Sequence, residues 1–315
     1  MQGWLAVFFL AIVLGLFSTG LQDRLRAALR RRPGAIFLVP AALTVFFAAV
    51  LAVAGAPSLP FVALVAVYAT IPTLLVWTAA RSMGTDSSVH SASLRDRVVS
   101  PHAGEGRHWL EFAAIFALWL PLEFTAGKEL LPQHAWGVAN ITARGISITL
   151  ALSLFLLFRG MKGMKYNLPR SWADARNAAI GFAAVAPVLI ALGLQVGYMG
   201  AFRGLAVFRA GAFGLLWLKT LLGVALPEEL LFRAIIQNWL MQRFGFNYGT
   251  LAAAALIFGA SHLNNPPGPL PNWRYMLLAT IAGLVFGSVF WRSSSVLASA
   301  AVHATVNSVR HVFFR

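Results

Sequence analysis

Apolar residues in this chain gather in runs that are too long and too evenly apolar for the one-sided stripe of a soluble helix. Such runs fall near 3–21, 35–55, 60–80, 109–127, 145–159, 178–199, 210–226, 227–244, 249–263, 273–291 and 295–314. A bilayer crossing takes about 20 apolar residues in a helix that satisfies its own backbone. The pattern therefore predicts an all-α polytopic membrane helical bundle of about 11 hydrophobic segments with no β-sheet.

Polar residues sit between the runs, and their charge alternates. The first run has no basic residue before it, whereas Arg24, Arg26, Arg30, Arg31 and Arg32 follow it. That order predicts an uncleaved anchor with the N-terminus outside. Loop 81–108 carries Arg81, Arg95, Arg97 and Arg107, and loop 159–177 carries Arg159, Lys162, Lys165, Arg170 and Arg176. The connections between them hold fewer: none in 56–60, and Lys128 with Arg144 in 128–144. Basic loops stay on the cytoplasmic side, so 81–108 and 159–177 are expected there. Loop 81–108, with "GTDSSVHSASLRD", is the longest polar stretch. It is expected to join accessory N-terminal transmembrane helices over 1–80 to a core over 109–315, whose motifs lie in 227–307.

Composition narrows the partners. The formal charge is +15, but its 25 Lys and Arg are scattered between apolar runs, so water and anionic lipid account for them and nucleic acid is excluded. The absence of cysteine removes disulfides, thiolate metal sites and a cysteine nucleophile. The alanine- and arginine-rich, cysteine-free composition points to a prokaryotic plasma membrane.

Against that background "ALPEELLFRAIIQ", residues 225–237, concentrates charge inside an apolar run. The runs on either side of Pro227 would make one very long helix, so a break is expected there, with Glu228 and Glu229 opening a new helix at the cytoplasmic side. Ionisable groups at membrane depth point to function, with a partner. Arg233 stands four residues after Glu229, which also fits a plain structural ion pair. Neighbouring helical residues point about 100° apart, so one arginine leaves Glu228 unserved. "LIFGASHLNN" then places His262 at the inner end of a helix, with Phe258 one turn earlier. "ASAAVHATVNSVRH" places His303 near mid-span and Asn307 one turn on. Two glutamates, an arginine, two histidines and an asparagine on three helices support a water-activating site. In that reading Glu228 is the general base, His262 holds the same water, Glu229 and Arg233 fix the helix end, and His303 and Asn307 stabilise a tetrahedral oxyanion.

The order "EELLFR", "FGASH", "HATVN" resembles the motifs EExxxR, FxxxH and HxxxN of the CAAX prenyl endopeptidase and bacteriocin-processing (CPBP, or Abi) intramembrane protease family. The stretch "GLVFGSVFWRSSSVLASAAVHA" is similar to the segment before that family's last motif. The resemblance covers about residues 220–315. It implies a glutamate-dependent intramembrane endopeptidase acting on a membrane-anchored or lipid-modified, CAAX-like protein, without a cofactor. By motif it makes Glu228 the base, Glu229 and Arg233 its supports, His262 the second water-binding group, and His303 with Asn307 the oxyanion stabilisers. Ala234 stands where the family commonly has glycine. Three rival readings use the same residues: a zinc hydrolase with glutamate and histidine ligands, a proton-coupled transporter, and a scaffold that has lost catalysis.

Overall fold

The computed structural model describes residues 1–85, 108–266 and 269–314. These are helical, and among them the only extended pairing is a single antiparallel bridge between Phe202 and Phe314. Contacts divide the chain into two compact units, Met1–Met161 and Lys162–Arg315. Residues 109–161 therefore group with the N-terminal helices, and the unit holding the motifs begins at Lys162. Of the expected loop 81–108, residues 86–107 lie outside the described residues.

In the first unit, α1 (Gln2–Gly15) is followed by α2 (Thr19–Arg31) at an angle of 87°. One span over 3–21 was expected, but the chain turns at Leu16–Ser18. The Ser18 side chain caps α2 at the Leu21 amide, and buried Gln22 donates to the Leu16 carbonyl at 2.7 Å. A helix carrying Arg24, Arg26, Arg30 and Arg31 beside Leu21 and Leu25 suits the bilayer surface better than its interior. After a 3₁₀ turn at Pro33–Phe37 come α3 (Leu38–Val53), α4 (Leu59–Thr85), α5 (His108–Glu123) and α6 (Gln133–Phe158). α4 and α5 run antiparallel: Ser58 donates to the Leu130 carbonyl beyond the end of α5, and the Tyr68 hydroxyl to Leu118 within it. Buried Glu111 is paired with Arg159, and Glu123 accepts from the Trp119 indole at 3.1 Å, so both acids are structural.

The second unit comprises α7 (Trp172–Gln195), α8 (Ala210–Phe244), α9 (Tyr248–Ala260), α10 (Trp273–Arg292) and α11 (Val296–Phe313). The break expected at Pro227 is absent: α8 is one helix of 35 residues. The reason is local. Proline lacks an N–H and its ring strikes the carbonyl four residues back, here that of Gly223. A π turn at Leu221–Ala225, closed by the Leu226 amide on the Leu221 carbonyl, widens the helix just where the ring arrives. A second π stretch, Leu230–Gln237, follows the glutamates.

Removing the break reverses every later element relative to the sequence expectation. The loop before α7 and the α10–α11 junction share one end of the unit. There the Lys165 ammonium donates to the carbonyls of Phe290, Trp291 and Ser293 at 2.8–2.9 Å, and the Ser294 amide donates to Asp174 at 2.6 Å. Asn238, near the finish of α8, donates to the Lys162 carbonyl at that same end. The Phe202–Phe314 bridge marks the other end. α9 and α10 pack closely because Gly259 faces α10: a Cβ there would meet the Met276 carbonyl at 2.8 Å and run into Thr280. Among the described residues six helices are long and apolar enough to cross a membrane, or up to seven if α1 and α2 form one broken span. The protein is an integral membrane protein with an all-α bundle.

Candidate active site

Glu228 and Glu229 occupy the middle of α8, so no helix N-terminus supports them. Their side chains part as the helical geometry requires. Glu229 is fully buried, with Oε2 at 3.1 Å from Arg233 Nε and Oε1 at 3.0 Å from His303 Nδ1. Arg233 is also fully buried, its guanidinium 4.6 Å from the Phe258 ring centre and 6.0 Å from that of Phe286. Two aromatic faces thus share the cation with Glu229.

Glu228 points elsewhere. Its side chain is 33% exposed, yet Oε2 is buried without a hydrogen-bond partner, 3.8 Å from His303 Nε2. A buried carboxylate oxygen left open is unusual in a folded protein and fits a group kept for a water or substrate. Its charge also reaches His262 and Tyr275.

His303 is held on two sides. Nδ1 faces the Glu229 carboxylate, which can only accept, so Nδ1 carries a proton. The ring stacks on Phe286 at 4.8 Å and 19°. His262, just past the end of α9, sets Nδ1 at 2.8 Å from the Phe258 carbonyl, again an obligate acceptor. Its Nδ1 is therefore the protonated nitrogen, and in the neutral ring Nε2 keeps a lone pair. Both imidazoles lie against Phe258, at 4.8 Å for His262 and 5.9 Å for His303.

His262, His303 and Asn307 line one hollow of about 50 Å³, closed by Phe258, Tyr275 and Phe286. A water needs roughly 10–15 Å³ by the same measure, so several fit. Glu228 stands beside this hollow through its approach to His303 and does not line it. Tyr198, which lines the hollow, also lines a second, open cavity of about 300 Å³ together with Asn272, Trp273 and Arg274. Sequence reasoning passed over Tyr275, whose ring lies 4.4 Å from His262, and Arg310, which sits 4.5 Å over the Tyr198 ring. The signal was there in part: two of the five tyrosines meet at this site, and Arg310 follows Asn307 by one turn. Burial raises Tyr198 above the ordinary phenol value, with Arg310 pulling the other way, so it stays a neutral hydroxyl.

Among the described residues no three His, Asp or Glu side chains are grouped to hold a metal ion. His303 has its Nδ1 committed to Glu229.

Residues 210–309 match the family model described as Rce1-like, type II CAAX prenyl endopeptidase. The match spans the three motifs and about a third of the 315-residue chain. No curated protein and no solved structure matches the chain.

Proposed function

We propose that the second unit is an intramembrane endopeptidase that hydrolyses a peptide bond in a membrane-associated protein by glutamate-activated water. The observation that carries this reading is the open, buried Oε2 of Glu228 beside a water-sized hollow lined by two imidazoles and an amide. Support also comes from the match of residues 210–309 to a CAAX-type protease family.

Each residue has a step. Water lies between the Glu228 carboxylate and the free Nε2 lone pair of His262, both acceptors for its protons. Glu228 takes one proton as the oxygen attacks the scissile carbonyl carbon. The carbonyl π electrons move onto oxygen, and the resulting oxyanion accepts from the Asn307 amide and from Nε2–H of His303 in its imidazolium form, whose Nδ1–H stays on Glu229. The C–N bond then breaks, and Glu228 passes its proton to the departing amine. Glu229 and Arg233 touch no substrate: Glu229 fixes the angle of His303 and stabilises its imidazolium, and Arg233 holds Glu229 in place.

The test is a comparison of membrane proteomes from cells carrying the wild type or Glu228→Ala. Peptides with new termini should be present with the wild type and missing with the variant. Identical terminal peptides in both would refute the proposal.

A further inference from the structure

Arg310 stands in the wall of the hollow with no acid beside it. We propose that Arg310 and Tyr198 form a subsite for a carboxylate of the substrate, within about three residues of the bond that is cut. The word substrate rests on the protease reading, and the subsite on the surroundings of Arg310.

The second unit, Lys162–Arg315, contains three acids, Asp174, Glu228 and Glu229, and each is engaged elsewhere. Asp174 accepts from the amide and the hydroxyl of Ser294. Glu229 faces Arg233 and His303, and Glu228 approaches His303. None of the three pairs with Arg310. Arg203, Arg209 and Arg274 are exposed, so their charges reach water or lipid headgroups directly. Arg310 is half-buried and lines the hollow together with His262, His303 and Asn307. On its other side it borders an apolar crevice with Phe182 and Leu189 of α7. Its guanidinium lies 4.5 Å from the centre of the Tyr198 ring. Arginine stays charged at any working pH, so this cation is matched by an anion that enters the hollow.

Tyr198 supplies a second donor. Its hydroxyl is buried, and its proton has no acceptor among the described residues. The ring lies 4.9 Å from that of Tyr275, which also lines the hollow. A guanidinium fork and an unused phenol proton match the two oxygens of a carboxylate.

The position follows from α11. Arg310 comes three residues after Asn307, about 4.5 Å further along the axis. With Asn307 on the oxyanion, an extended substrate advancing about 3.3–3.6 Å per residue brings a carboxylate to Arg310 within about one to three residues of the scissile carbonyl. An Asp or Glu side chain and the substrate's own terminal carboxylate both fall within that reach.

The probe is a mixed peptide library carrying an N-terminal acyl chain, prepared as free acids and as methyl esters. Binding is read with the immobilised full chain carrying Glu228→Gln in detergent, by mass spectrometry of the retained peptides. Cleavage is read with the wild type, by the new termini. The expected result is retention of the acids about 10–100-fold over the esters, a preference that Arg310→Gln abolishes and Tyr198→Phe reduces about tenfold. Arg310→Lys keeps the charge without the fork and should keep part of the preference, so the loss in Arg310→Gln is separated from a failure to fold. A library amidated at its C-termini and a library lacking Asp and Glu distinguish the two sources: a preference kept in the first belongs to acidic side chains, and one kept in the second to the terminal carboxylate. Equal retention of acids and esters overturns the proposal. So does a preference that Arg310→Gln leaves intact, or an effect of Arg310→Gln seen only when phosphatidylglycerol is added, which gives the cation to a lipid phosphate. Carboxylate-dependent retention without cleavage would refute the protease and keep the subsite; cleavage without carboxylate preference would refute the subsite alone.

Discussion

Adjacent glutamates offer a sharp contrast when each is changed to its isosteric amide. Glu229→Gln keeps shape but leaves the fully buried Arg233 guanidinium without its anion. Breaking a buried pair by removing one partner costs about 3–5 kcal/mol. Here the lower part of that range applies, because the Phe258 and Phe286 faces retain about 0.5–2 kcal/mol of cation–π attraction. Glu228 supplies a further nearby negative charge. For a unit of this size each kcal/mol moves Tm by about 2–4 °C, so a loss of roughly 3 kcal/mol lowers Tm by about 6–12 °C. Glu228→Gln removes a charge from a partly exposed side chain whose Oε2 bonds to nothing, and its effect stays within about 1 kcal/mol. The assay is thermal unfolding of the purified chain in one detergent, followed by tryptophan fluorescence. Arg233→Met added to Glu229→Gln should recover much of the lost Tm, since no cation is then left unpaired. Equal Tm shifts for the two glutamine variants would refute the division of labour between the glutamates.

Asn307→Ala should lower kcat by about 10²–10³-fold with KM little changed, because its amide is assigned to the transition state alone; a loss confined to KM would contradict that. Pro227→Ala should keep the fold but let the π turn relax, rotating the glutamates against α11, and a misplacement near 1 Å is worth up to about 100-fold in rate. Unchanged activity of that variant would show that the π turn is not positioning them. Gly259→Ala places a methyl against the Met276 carbonyl and Thr280, and should destabilise by about 1–3 kcal/mol in the same melting assay. Exhaustive chelation should leave proteolysis intact, with no stoichiometric metal found by elemental analysis.

The apolar runs made the helices legible, because bilayer length and backbone satisfaction leave few other ways to use such residues. The pairing of Glu229 with Arg233, and the isolation of Glu228, followed from helical angles alone. What misled was Pro227. A proline rule describes an α-helix, and the π turn that accommodates the ring arises from backbone bonds that no side-chain pattern announces. The turn after Gly15 was hidden for a related reason: the first apolar run continues past it, and only Ser18 and Gln22 hint at a cap and a bend. Tyr198 and Arg310 come from segments distant in sequence, so their meeting required the packing itself.

The uninterrupted α8 has a mechanical corollary. At about 1.5 Å per residue, its 35 residues reach about 52 Å, against a hydrocarbon thickness near 30 Å. A tilt of about 40° is the usual limit, and even that leaves surplus rod standing in the headgroups. Thinner or thicker lipid must then pivot this strut, and the two acids at its midpoint swing with it. Turnover should accordingly track acyl-chain length, making the membrane itself a tuning part of the machine.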